Sequence, residues 1–175
     1  MNEVVDQIKS RRSVRKYKAE MPPKDVIERI VEAGTYTATG MNRQSPIIIA
    51  VTNKEIRDRL SAANCKIGGW KEGFDPFYGA PAILIVLANK EMPTHVYDGS
   101  MVMGNLMLAA HAEGLGSCWI HRAKEEFETA EWKDWLHSLG IEGEYEGIGH
   151  VALGYVEGEH PKTQPRKENW VYFVE

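Results

Sequence analysis

Hydrophobic positions along the chain recur in two rhythms, one helical and one extended. Val4, Val5 and Ile8 fall on one face of residues 2–10, and Asn2 stands ahead of them as an N-cap, which predicts a short helix. Residues 13–20, SVRKYKAE, lose that rhythm and carry β-branched and aromatic side chains, so they read as extended. A helix returns over 21–34: Val26, Ile27, Ile30 and Val31 form a stripe, Pro23 suits the first turn and Gly34 ends it. The small polar stretch TYTATGMNRQSP, punctuated by Gly40 and Pro46, predicts a loop. A buried strand over 47–52 and a helix over 54–64 follow. Residues 65–80 then read as a long loop holding four glycines and four aromatics, ahead of a second buried strand over 81–88.

Residues 98–116 are apolar nearly all round, which predicts a buried central helix. Beyond it the pattern gives a strand at 117–120, one amphipathic helix over 124–140 with Phe127, Trp132, Trp135 and Leu136 inward, and a strand at 147–156. The chain closes on Trp170, Val171, Tyr172, Phe173 and Val174, which are too apolar to lie in water and call for a sheet edge or a second subunit. Alternating helices and strands suggest a layered fold with right-handed crossovers. No GxGxxG follows a strand, so an ordinary dinucleotide-binding unit finds little support.

Length and composition narrow the picture. At 175 residues and 43% apolar, the chain fits a single domain over 1–175 with a real core. Nothing approaches the roughly 18 uninterrupted apolar residues of a membrane span, and the polar, acidic start is unlike a secretory signal. Cys65 and Cys118 lie far apart, so a reducing, cytoplasmic setting is expected. The six histidines form no ligand-spaced pair, and no metal site is expected. A formal net charge of −4 argues against nucleic acid as a partner. Against that balance, Arg11, Arg12, Arg15 and Lys16 concentrate four cations in six positions.

Arg11, Ser13 and Arg15 alternate, and in an extended segment they share a face while Arg12 and Lys16 point away. Two guanidinium forks around a hydroxyl suit a phosphate monoester. Taken alone, the cluster fits equally a solvated basic turn behind a helix C-terminus. Asn42 and Gln44 also alternate, and their carboxamides suit the polar edge of a heteroaromatic ring, or simply a turn. In GLGSCWIHR the glycines allow close backbone approach to a flat ligand, or a helix end leading into a strand.

Together, RRSVRKY, NRQSP, GNLMLAAHAEGLGSCWI and GHVALGYVEGEHP…PRK, in this order along the whole chain, resemble the nitroreductase family of flavin enzymes. The resemblance implies an α+β fold with a central mixed sheet flanked by helices around a buried central helix. It implies an obligate homodimer with C-terminal strand exchange and an FMN at each of two interface sites. Arg11, Arg12, Ser13 and Arg15 would hold the phosphate and ribityl chain, joined by Arg166 or Lys167. Thr39, Gly40, Asn42 and Gln44 would reach the flavin from the partner subunit, and Trp119, Ile120, His121 and Arg122 would line its face through backbone atoms. The implied activity is ping-pong transfer from NADH or NADPH to a small-molecule electron acceptor such as a nitroaromatic or quinone, with no side chain as nucleophile or general acid. Reductive dehalogenation, enone reduction, flavin breakdown and non-catalytic flavin binding remain alternatives on the same fold. Two departures stand out. Many relatives read Asn-x-Gln-Pro-Trp where this chain has Asn42-Arg43-Gln44-Ser45-Pro46, and the aromatic loop at 64–79 replaces a longer insertion over the substrate pocket.

Overall fold

The structure is a computed structural model that describes residues 2–175. Helix α1 (Glu3–Ser10) is capped by Asn2, whose side chain accepts from Val4 and Val5 N–H, and α2 (Lys24–Thr35) follows an extended segment. Next come β1 (Pro46–Val51), α3 (Lys54–Gly68), β2 (Ala82–Asn89), α4 (His95–Ala112) and β3 (Gly116–Ile120). Two short helices, α5 (Ala123–Phe127) and α6 (Ala130–Ser138), lead into β4 (Tyr145–Gly154).

The strands lie in the order β1-β2-β4-β3 and every ladder is antiparallel. The fold is therefore α+β as expected, but the sheet is not mixed. Among the described residues, the only parallel pairing is an isolated bridge between Ser13 and Ser117. Between neighbouring strands no parallel crossover occurs: α3 joins the antiparallel pair β1 and β2, α5 and α6 join the antiparallel pair β3 and β4, and α4 links β2 to β3, which run parallel with β4 between them.

β2 sits between two cores and is buried on both faces. Ile83, Ile85 and Leu87 pack on the side of α3, α5 and α6, while Leu84 and Val86 pack with α2 and α4 residues such as Ile30, Met103 and Leu106. Two glycines mark close approaches that position β4. A Cβ on Gly147 would stand 2.1 Å from the backbone oxygen of Ala123, and one on Gly149 would stand 2.5 Å from Trp119 Nε1. Between them Ile148 is the extra residue of a bulge, since Val86 faces Gly149 and Leu87 faces Gly147.

Three helices depart from the pattern-based reading. α3 runs on to Gly68 and stops where Gly69 adopts a left-handed conformation at φ 68°. The helix expected over 124–140 breaks at Glu128–Thr129, which lets Glu126 turn fully inward. α4 is not covered all round: Val102, Met103, Leu106 and Ala110 are buried, but Tyr97 is 74% and Met101 54% exposed. Residues 155–175 form no helix or strand, and Val171–Val174 are exposed.

Candidate functional site

The chain leaves α1 at Arg11 and runs along the outer edge of β3. Val14 N–H donates to the Ser117 oxygen at 2.9 Å, and Tyr17 bridges Val156. The expected alternation holds over 13–15, with Ser13 half-buried, Val14 buried and Arg15 exposed. It ends there, because Tyr17 turns inward and its hydroxyl donates to the Val14 oxygen at 2.8 Å.

Arg11 is half-buried, and its Nη1 is buried without a hydrogen-bond partner. Burial and the neighbouring Arg12 cation pull its guanidinium below the usual arginine value. A buried charged donor without an acceptor is costly, and native structures rarely leave one so. Arg12 turns away to donate to the Lys9 oxygen at 2.7 Å and to Thr163 Oγ1, and Lys16 lies 3.4 Å from Glu157 at the surface.

The 37–46 loop stands at the other end of α4. Met41, Asn42 and Gln44 hold φ values of 50°, 54° and 51°, left-handed positions, rarely adopted by non-glycine residues, on both sides of a right-handed Arg43. Gln44 N–H donates to Thr39 Oγ1 at 3.0 Å, and its side-chain amide donates to Asn42 Oδ1 at 3.3 Å. The carboxamides of Asn42 and Gln44 stay exposed.

After β3, the Ile120 side chain enters the core while His121 and Arg122 are exposed. Arg122 has φ 82° and precedes α5 with its guanidinium 2.9 Å from Glu125. This turn is tied down from α3: Asn64, fully buried, donates to the His121 oxygen at 2.7 Å. Trp119 keeps a buried Nε1 with no partner.

The tail does not bring Arg166 or Lys167 to the cations of this chain. Arg166 donates to the Gln164 oxygen, and Lys167 lies 5.0 Å over the Trp170 ring. Thr163 and His160 meet the cluster instead. His160 faces His111 with ring centroids 5.3 Å apart, and His111 Nε2 is 2.8 Å from Ser10 Oγ. Burial, then His160, Arg11 and Arg12, hold the His111 imidazole below its ordinary value.

The aromatic loop divides in two. Phe77 is buried in the core, whereas Trp70 and Phe74 border an open cleft of about 700 Å³ against α3. Asp75 pins the loop by accepting from Ser61 Oγ at 2.8 Å, Phe77 N–H at 3.0 Å and Gly79 N–H at 2.7 Å, and by pairing with Arg57.

Asp98, Asn64 and His111 are structural participants that the sequence reading missed. Asp98 had a visible signal, as an acid at the start of an otherwise apolar helix pattern. Asn64 and His111 had none. Among the described residues no cluster of potential metal ligands occurs, and no helix is long and apolar enough to cross a membrane.

An antiparallel sheet between helical layers, with a cationic segment on one edge and a strained polar loop beyond, defines an α+β protein. The family model for the nitroreductase family matches residues 8–67 and 69–155, and the chain belongs to that family. A nitroreductase with bound FMN from Bacteroides fragilis is 32% identical, with TM-score 0.88 and full coverage of both chains. A nitroreductase with bound FMN from Desulfitobacterium hafniense is 26% identical at TM-score 0.87, also covering 100% of each chain. A Methanothermobacter thermautotrophicus protein provisionally named NADH dehydrogenase/NAD(P)H nitroreductase is 28% identical over 121 residues, which span 67% of this chain and 60% of that protein.

Proposed function

We propose that this chain is an FMN-dependent oxidoreductase that draws hydride from NADH or NADPH and reduces small-molecule acceptors such as nitroaromatics or quinones. The observation that carries the reading is the partnerless, buried Nη1 of Arg11 at the sheet edge. A phosphate monoester there supplies the missing acceptor, with Ser13 and Arg15 beside it. Bound FMN would supply two-electron chemistry, taking hydride from the nicotinamide and passing it to the acceptor in ping-pong order.

The protein's share is binding and orientation. Arg11, Ser13 and Arg15 hold the phosphate, while Arg12 fastens the tail through Thr163. The backbone at 119–122, fixed by Asn64, lines the flavin face. Arg166 and Lys167 join the cradle only if the tail takes a different path.

The reading includes a homodimer. Gly40 N–H rests on Asp98 near the start of α4, whereas Ser10 rests on His111 near its end. Thirteen residues of helix separate those two anchors by about 20 Å. A second copy lying the opposite way brings the loop of one chain to the cations of the other. The uncovered Tyr97 and Met101 on α4, and Val171–Val174 in the tail, offer apolar surface for that contact.

Purified protein is expected to be yellow with one FMN per chain. NADH or NADPH should bleach it, and a nitroaromatic or quinone should restore the colour. Protein that takes up no FMN overturns the proposal, and flavin that no reductant bleaches reduces it to a binding role. Halogenated phenols and enones in the same acceptor panel separate the other chemistries of the fold.

A further inference from the structure

We infer that Asp98 is a positioning residue that holds the 37–46 loop in its strained, flavin-facing conformation. This inference rests on the flavin-binding reading above. Asp98 is 4% exposed in the first turn of α4 and accepts three hydrogen bonds. Oδ1 takes the Gly40 N–H at 2.9 Å; Oδ2 takes Thr94 Oγ1 at 2.9 Å and Ser45 Oγ at 3.2 Å. The carboxylate thus grips both ends of the segment that contains all three left-handed residues, Met41, Asn42 and Gln44.

Left-handed backbone at non-glycine residues is unfavourable and persists only where the surroundings over-determine it. Within the turn itself, backbone bonds from Asn42 to Thr39 and from Arg43 to Gly40 close a single tight loop. Solvent surrounds the side chains of Met41, Asn42, Arg43 and Gln44, so no packing holds the turn from above. The grip comes from beneath. Gly40 is fitted to it as well, because a Cβ there would stand 2.4 Å from Thr94 Oγ1 and push that hydroxyl off Asp98.

The arrangement gives Asp98 a role separable from general stability. Its helix carries four further buried anchors, Val102, Met103, Leu106 and Ala110, which hold α4 on the sheet whether or not the loop is seated. Releasing the loop lets Asn42 and Gln44 sample many directions. A ligand that needs the seated loop then binds with an apparent dissociation constant raised by the inverse of the seated fraction.

The test compares wild type with Asp98→Ala, and with the milder pair Ser45→Ala plus Thr94→Val, which keeps the carboxylate and its bond to Gly40. Two readouts are used: amide hydrogen exchange across residues 37–46 in FMN-free protein, and FMN affinity by quenching of flavin fluorescence. Asp98→Ala should speed exchange in the loop while leaving β2 and β4 protected, and should weaken FMN about 10-fold, the value for a loop seated a tenth of the time. The milder pair should move both readouts in the same direction by less. Unchanged loop exchange with unchanged FMN affinity in the folded Asp98→Ala protein overturns the inference. If Asp98→Ala fails to fold, unchanged loop exchange in the milder pair overturns it. Wild-type protein that binds no FMN defeats the functional reading instead, and the exchange readout still decides whether Asp98 seats the loop.

Discussion

His150 Nε2 lies 2.7 Å from Glu126 Oε2, with both side chains wholly buried beneath the turn that follows β3. Phe77 faces the imidazole at 5.3 Å, so the couple is enclosed by apolar groups rather than solvent. Removing one partner strands the other polar group in the core, at a cost of about 3–5 kcal/mol. Glu126→Ala and His150→Ala should each lose that much in urea denaturation. The double change Glu126→Leu with His150→Phe should cost far less than the sum of the two. Additive losses would show that the side chains act independently.

Arg11→Ala should have opposite consequences with and without ligand. Its unpartnered Nη1 contributes no bond to the free protein, so thermal stability without FMN should hold or rise. FMN affinity should fall by about 1.5–3 kcal/mol, the worth of a charge-assisted contact. A fall in stability without change in FMN affinity would make Arg11 a structural residue.

Asn42 should act across the subunit boundary. A mixed dimer of an Arg11→Ala chain with an Asn42→Ala chain would place both lesions in one site and leave the other intact. Titration should then find about one tight FMN per dimer. Two equally weakened sites would mean that the loop serves its own chain.

The 69–80 loop should carry an acid-sensitive closure centred on Asp75. Burial alone would raise the carboxyl, but Arg57, Ser61 and the Gly79 N–H outweigh it and hold Asp75 below the ordinary range. With a depressed folded-state value, this group's contribution is fully present above the unfolded value of about 3.9 and is lost as pH falls through the folded value. Trp70 emission should therefore stay constant from pH 7 to about 4 and change only below it. Asp75→Asn should remove that acid step, and a wild-type transition near neutral pH would contradict the assignment.

Much of this was legible in the sequence because the responsible forces act locally. Asn2 and the stripe of α2 announced their elements, although Gly34 lies inside that helix rather than ending it, and the unbroken apolar run at 83–88 announced a buried strand. The cations at 11–15 announced themselves by density. What escaped depends on contacts between distant residues. Nothing near Gly147 in sequence shows that Ala123 lies against it, and nothing around Asn64 shows the His121 oxygen it serves. Sheet direction escaped for the same reason, since alternation of helices and strands fits parallel and antiparallel pairing alike. The loop at 37–46 was legible as a loop, but its left-handed positions were not, because Met41, Asn42 and Gln44 are not glycines.

β4 comes last among the strands yet lies between β2 and β3. Ala152 completes one core, while Val151 and Leu153 complete the other. Before residues 145–154 arrive, β3 has no neighbour within the sheet and both cores stand open. Neither core is complete without β4, so the chain is expected to unfold cooperatively. Folding has to wait for pairings between segments far apart in the chain, which sets a slow pace relative to helical proteins of this size. A cut anywhere between α1 and β4 divides a structure that closes only when its final strand is inserted.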